Sequence, residues 1–174
     1  MSLNDIYSDI RELSCEIVRL CGEKGLKIAT AESCTGGMIS AAITAVSGSS
    51  AVIELGVCSY SNRIKQQVLG VSQRTLDSFT EYSIQCAEEM ARGVMTAADA
   101  DFGVSTTGVA GPTGGTEQHP VGEVCIGIST QNSSYAARFV FSDESDDSST
   151  GRDVIRAKAA HKALEMLLDS IKQQ

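Results

Sequence analysis

Apolar residues in this chain switch repeatedly between helical and strand-like spacing, and that switching restricts its fold more than any other feature. Ile6, Ile10, Leu13, Ile17 and Leu20 recur at three- and four-residue steps, the stripe of an amphipathic helix that stops at Gly22 to Gly25. Lys27-Ile28-Ala29 reads as a short strand, and Met38 to Val46 returns to helical spacing. After the break Ser47-Gly48-Ser49-Ser50, the run Ala51 to Tyr60 reads as a buried strand. Asn62 to Leu69 forms a short helix carrying Lys65. Ser83 caps a longer one through Ile84, Ala87, Met90, Ala91, Val94 and Met95, and Asp101 to Thr107 is the next strand. Segments 124 to 130 and 135 to 141 lie close enough to form a hairpin. Thr150-Gly151-Arg152-Asp153 matches a capping box that opens a terminal helix, with Ile155, Ala159, Ala163, Met166 and Leu167 on one face. Helices alternating with strands, plus one hairpin, define an α/β chain: a three-layer α/β/α sandwich with a mixed, mostly parallel sheet.

At 174 residues the chain fits one domain, residues 1–174, with no linker and no internal repeat. A net charge of −8 without a Lys/Arg cluster lacks the footprint of a nucleic-acid binder. No apolar stretch approaches a membrane span and the first residues do not read as a secretory signal, so a cytoplasmic location is expected. Cys15, Cys21, Cys34, Cys58, Cys86 and Cys125 include no Cys-x-x-Cys pair and no nearby histidine, which argues against a zinc site. Five of them read as buried thiols, and Cys34 needs separate treatment. The acidic tract 142–149 reads as a solvated loop rather than a metal site.

Chemistry concentrates in Thr30-Ala31-Glu32-Ser33-Cys34-Thr35-Gly36-Gly37, a hydroxyl, a thiol and two glycines where a strand turns into a helix. Helix N-terminal amides there would meet whatever Ser33 attacks; the alternative is that Ser33 or Thr35 is only an N-cap. With His119 and His161 the only histidines, and His161 on the solvated side of the terminal helix, a Ser-His-Asp triad is disfavoured and another base is required. Lys65 is a candidate, because a lysine desolvated beside a serine can be neutral near pH 7; the alternative is an ordinary surface lysine. Tyr60, five positions earlier, is a candidate proton relay or a capping aromatic. The glycine-rich loop 108–116 lacks both the P-loop ending and the dinucleotide fingerprint, which disfavours ATP-driven chemistry and hydride transfer.

Taken together, the 30–37 run, Tyr60-Ser61-Asn62 with Lys65, Thr107-Gly108-Val109-Ala110-Gly111-Pro112-Thr113-Gly114-Gly115-Thr116 and Pro120-Val121-Gly122 closely resemble the CinA C-terminal domain family. The match runs in order from about Lys27 to Leu167. It implies a nicotinamide-nucleotide amidase, which hydrolyses the carboxamide of nicotinamide mononucleotide in pyridine nucleotide salvage, with Ser33 as nucleophile, Lys65 as base, Tyr60 as assisting hydroxyl, and neither metal nor cofactor. Glu32, Cys34, Thr35, Gly36, Gly37, Thr107, Gly108, Gly111, Gly114, Gly115 and Arg156 are the expected substrate-binding positions, amides near Thr35 to Gly37 the expected oxyanion donors, and Arg156 or helix-terminal amides the expected phosphate site. The expected partners are a small-molecule nucleotide and further copies of the chain, as a homodimer or higher homo-oligomer, with no nucleic acid and no membrane. There is no room for the additional domain of two-domain CinA proteins, so a stand-alone form is expected. The chain departs from the family pattern at Thr80-Glu81-Tyr82-Ser83, where Gly-Ala-Val-Ser is usual, and at His119, often Lys. A non-catalytic binding paralogue and a thiol amidase using Cys34 are the rival readings.

Overall fold

The computed structural model describes residues 2–142 and 151–174, so the proposed Thr150 cap and nearly all of the acidic tract lie outside the described residues. The first helix, α1 (Leu3–Lys24), opens with a capping box in which the Ser2 hydroxyl accepts from the Asp5 N–H and the Asp5 carboxylate accepts from the Ser2 N–H. The chain continues through β1 (Ile28–Glu32), α2 (Met38–Thr44), β2 (Ile53–Cys58) and α3 (Asn62–Leu69). After these come α4 (Gln73–Phe79), α5 (Ile84–Ala98), β3 (Phe102–Gly108), β4 (Glu123–Thr130), β5 (Ser134–Val140) and α6 (Gly151–Lys172). Helix α4, capped by Ser72, was not anticipated, because its seven residues are too few to display an apolar period.

The sheet runs β2-β1-β3-β4-β5. Strand β1 pairs in parallel with both β2 and β3, whereas β4 is antiparallel to β3 and to β5, which makes the sheet mixed with four strands running one way. Strand β2 corrects the buried-strand expectation. It has only β1 as a neighbour, and its residues alternate between half-buried and exposed, as an edge position allows.

Residue parity divides the sheet into two unlike faces. Ile28, Phe102, Val104, Val124, Ile126 and Ile128 pack with Ile6, Ile10, Ile17, Ile39, Ile43, Leu164 and Leu167 in the larger core, under α1, α2 and α6. The opposite face is built from small residues, with Ala29, Ala31, Gly103, Ser105 and Gly127 beneath α5. Helix α5 therefore lies close enough for a Cβ added to Gly103 to come within 2.0 Å of the Ala91 carbonyl oxygen, and one added to Gly127 within 2.4 Å of that of Ala87. The Ser105 hydroxyl donates to the same Ala87 carbonyl at 2.5 Å.

Two expectations for the cysteines are revised. Cys15 and Cys58 are exposed, because they fall on the outer face of α1 and the end of the edge strand, while Cys21, Cys34, Cys86 and Cys125 are buried. No helix among the described residues is long and apolar enough to cross a membrane. The close α5–sheet contact predicts that Gly103→Ala destabilises the fold by roughly 1–3 kcal/mol, read as a lower urea midpoint at unchanged m-value.

Candidate active site

Strand β1 ends at Glu32, so Ser33 is the first residue past the sheet, anchored by its N–H donating to the Thr106 carbonyl at 2.9 Å. Parity sends Ile28, Thr30 and Glu32 toward α2. The fully buried Glu32 carboxylate there accepts from the N–H groups of Gly37, Ile39 and Ser40 at 3.0, 3.1 and 2.9 Å, and from the hydroxyls of Thr35 and Ser40 at 2.7 and 2.9 Å. An internal carboxylate thus satisfies the amides that open α2, whose N-cap Gly37 has no side chain to do so. Gly36 (φ +62) and Gly37 (φ +99) supply the left-handed backbone that brings the helix start back over Glu32.

This geometry corrects several expectations. Glu32 and Thr35 do not line the cleft: both are fully buried, and the Thr35 hydroxyl is spent between Glu32 and Thr106. The Gly37 N–H is committed to Glu32 and the Gly36 N–H to the Ser33 carbonyl, so neither amide is free to hold an oxyanion. Among the described residues, the N–H groups of Cys34 and Ala110 donate to no other residue, and both residues line the cleft beside Ser33. Ser33 is not an N-cap.

Lys65 reaches Ser33 from α3. Its side chain is 2% exposed, and Nζ stands 3.0 Å from Ser33 Oγ and 2.8 Å from the Ser59 carbonyl, to which it donates. No carboxylate forms a salt bridge with it among the described residues. Burial therefore dominates and lowers its pKa below the ordinary lysine value, against smaller opposing effects from Cys86, Glu81 and Cys34. The Cys34 thiol is buried beside them, and loss of solvent pushes it up to about 12.

A cleft of about 190 Å³ opens over this pair, lined by Ser33, Cys34, Tyr60, Asn62, Lys65, Glu81, Tyr82, the loop residues Gly108 to Gly111, Thr113, Gly114 and Arg152. Tyr60 stands at the rim, 64% exposed. Its hydroxyl accepts from Arg152 at 2.9 Å and makes no hydrogen bond to Ser33 or Lys65, so the direct relay is not formed here. Arg152 also donates to the Gly111 carbonyl at 2.6 Å and so spans the mouth from α6 to the glycine loop.

Arg156, one turn further along α6, does not line the cleft. Its guanidinium donates to the carbonyls of Cys34 and Thr35 at 3.2 and 3.0 Å and clamps the Ser33 turn from behind, so of these two α6 arginines it is Arg152 and not the expected Arg156 that lines the cleft. Thr107 is fully buried and donates to the Glu81 carbonyl, and Gly115 packs against Val121; neither reaches the cleft, which corrects their substrate-side assignment. Sequence reasoning named neither Glu81 nor Tyr82 as lining residues, although the unusual Thr80-Glu81-Tyr82 segment was the available signal.

A family model described as the CinA C-terminal domain matches residues 10–171. A CinA-like protein of Shewanella pealeana is 41% identical over 162 residues, 93% of this chain and 37% of that protein, and one of Chlorobium limicola is 50% identical over 121 residues, 70% of this chain and 28% of that protein. The chain spans about two fifths of the length of such curated relatives. Among solved structures, the competence/damage inducible protein CihA from Agrobacterium tumefaciens superposes with a TM-score of 0.87 at 39% identity, covering 94% of this chain and 96% of that one. The competence damage-inducible protein A from Klebsiella pneumoniae gives 0.86 at 31%, covering 94% and 97%.

Because Glu32 satisfies five donors with no solvent to replace it, Glu32→Gln is expected to lower unfolding free energy by about 2–4 kcal/mol, measured by urea titration. Arg156→Met, which leaves those donors untouched, is expected to cost less than half of that.

Proposed function

Since the chain belongs to the CinA C-terminal domain family, we propose that it is a Ser-Lys amidase that hydrolyses the carboxamide of nicotinamide mononucleotide to nicotinic acid mononucleotide and ammonia. The observation that carries this reading is the 3.0 Å approach of a buried lysine, free of any salt bridge among the described residues, to a serine hydroxyl at the floor of an open cleft. Such a lysine has no other evident reason to be desolvated.

In the mechanism, neutral Lys65 takes the Ser33 proton while its own N–H remains on the Ser59 carbonyl, which aims the amine lone pair at Oγ. Oγ attacks the amide carbon, and the oxyanion is assigned to the unengaged N–H groups of Cys34 and Ala110 on the cleft wall. The Lys65 ammonium returns the proton to the leaving nitrogen and ammonia departs. Lys65 then deprotonates a water, which attacks the ester carbon, and the proton returns to Ser33. Arg152 is assigned the 5′-phosphate at the cleft mouth. A thiol mechanism through Cys34 is disfavoured, because a buried thiol raised to about 12 supplies almost no thiolate.

Ammonia release from nicotinamide mononucleotide is expected to fall about 10³-fold or more in Ser33→Ala and in Lys65→Met. Undiminished release from folded Ser33→Ala would rule out the mechanism, and no release from folded wild type would favour a binding paralogue. Arg152→Leu should raise KM for the mononucleotide roughly tenfold or more while sparing nicotinamide riboside.

The lowered lysine pKa fixes two pH dependences. Activity should rise with pH along a limb whose midpoint lies below the ordinary 10.5. Because the folded-state pKa lies below the unfolded one, the buried ammonium destabilises the fold at low pH. Wild type should therefore gain stability relative to Lys65→Met as pH rises from the folded-state pKa toward 10.5, read by urea titration.

A further inference from the structure

Segment 80–82, between α4 and α5, brings two side chains to the cleft and is held more rigidly than a connecting loop requires. Thr80 adopts φ 70 and ψ 168, a region open to glycine and strained for any residue with a Cβ. Its hydroxyl lies 3.1 Å from His119 Nε2, and its carbonyl accepts from the Ser83 hydroxyl at 2.8 Å. The Glu81 carbonyl accepts from Thr107 at 2.6 Å and the Tyr82 carbonyl from the Cys125 thiol at 3.1 Å. His119 presents its ring edge-on to Tyr82 at 5.5 Å between centroids, and is itself held by the buried Glu123, which also binds Arg138. Strain on a segment tied at each carbonyl indicates a fixed presentation of what it carries.

What it carries is the only carboxylate among the described lining residues. The other ionisable groups that line the cleft among the described residues, the amine Lys65 and the guanidinium Arg152, offer a cationic ligand no attraction, so Glu81 alone can supply it. Beside Glu81 stand the Tyr82 ring and, near it, Tyr60. Burial and then the Glu81 carboxylate raise the Tyr82 phenol, which keeps it an uncharged aromatic face. A carboxylate combined with aromatic faces is the chemistry that recognises a delocalised cation.

We propose that Glu81 and Tyr82 form a charge-selective wall that favours an amide borne on a positively charged aromatic ring over a neutral ring of the same shape. The proposal deepens the amidase reading and rests on it: with Arg152 at the mouth and Glu81 inside, the cleft is polarised for a ligand that is anionic at one end and cationic at the other.

The test compares binding of nicotinamide mononucleotide with that of its neutral isostere, the carbon-linked benzamide ribose 5′-phosphate, by calorimetry. The Ser33→Ala background keeps either amide from being consumed. The expected result is a Kd at least tenfold lower for the cation. Adding Glu81→Gln, which preserves side-chain volume, should bring the ratio below threefold through weaker binding of the cation, with the neutral isostere changed less than twofold. Tyr82→Leu, which leaves the carboxylate in place, should give an intermediate ratio. Equal binding of the two ligands with Glu81 intact, no binding of either, or a ratio unchanged by Glu81→Gln would overturn the proposal. Ammonia release by wild type is scored separately. Absence of release with the charge preference intact would overturn the amidase reading alone, whereas release from the cationic ribotide with no charge preference in binding would overturn the wall alone.

Discussion

A single buried carboxylate organises the working end of this molecule. Glu32 takes the place that solvent, a side-chain cap or a ligand would otherwise fill at the start of α2, and the turn that contains Ser33 is the chain's path around it. If those amides faced the cleft instead, they would offer a strong anion site but leave the serine on an untethered turn. Closure by Glu32 from inside and by Arg156 from behind fixes the backbone that follows Ser33, its own N–H is held by the Thr106 carbonyl, and the hydroxyl is left to face Lys65. Fixing a nucleophile before substrate arrives is worth more to rate than an additional contact made on binding.

The electrostatic design follows from that closure. With the α2 amides occupied, the cleft gains little positive potential from the helix, and its character is set by side chains delivered from three separate elements: Lys65 from α3, Glu81 from the approach to α5, and Arg152 from α6. Lys65 can stand neutral because it is dry, and it is dry because α3 seats it against the buried Ser59 carbonyl. The Ser59 hydroxyl, buried without a partner among the described residues, marks how tightly that corner is closed.

The fold and the contact between Ser33 and Lys65 were legible in the sequence for separate reasons. Apolar spacing announced the long helices α1, α5 and α6, and the glycines and hydroxyls of 30–37 marked a strand-to-helix turn. Strand parity also places Glu32: a residue two positions from Thr30 faces α2 with it, whatever its neighbour Ser33 does. Parity likewise assigns Thr107, with Gly103 and Ser105, to the α5 face. Arg152 and Arg156 could not be separated, because they lie one turn apart on the same face and only the docking of α6 decides which one reaches the cleft. The same holds for segment 80–82, whose residues were visible as unusual but whose position depends on long-range bonds to Thr107, His119 and Cys125.

The small-residue face of the sheet has an effect that reaches past packing. Because Gly103 and Gly127 let α5 rest its own backbone on β3 and β4, the helix has almost no cushion of side chains in which to slide, and segment 80–82 joins it within a few residues. Scaffold and ligand wall are therefore one mechanical body. A lineage that altered substrate preference by shifting this wall would have to alter the sheet as well, whereas exchanging the side chains at 81 and 82 leaves the frame intact. Diversification among chains built this way should accordingly run through substitution at the wall rather than movement of it.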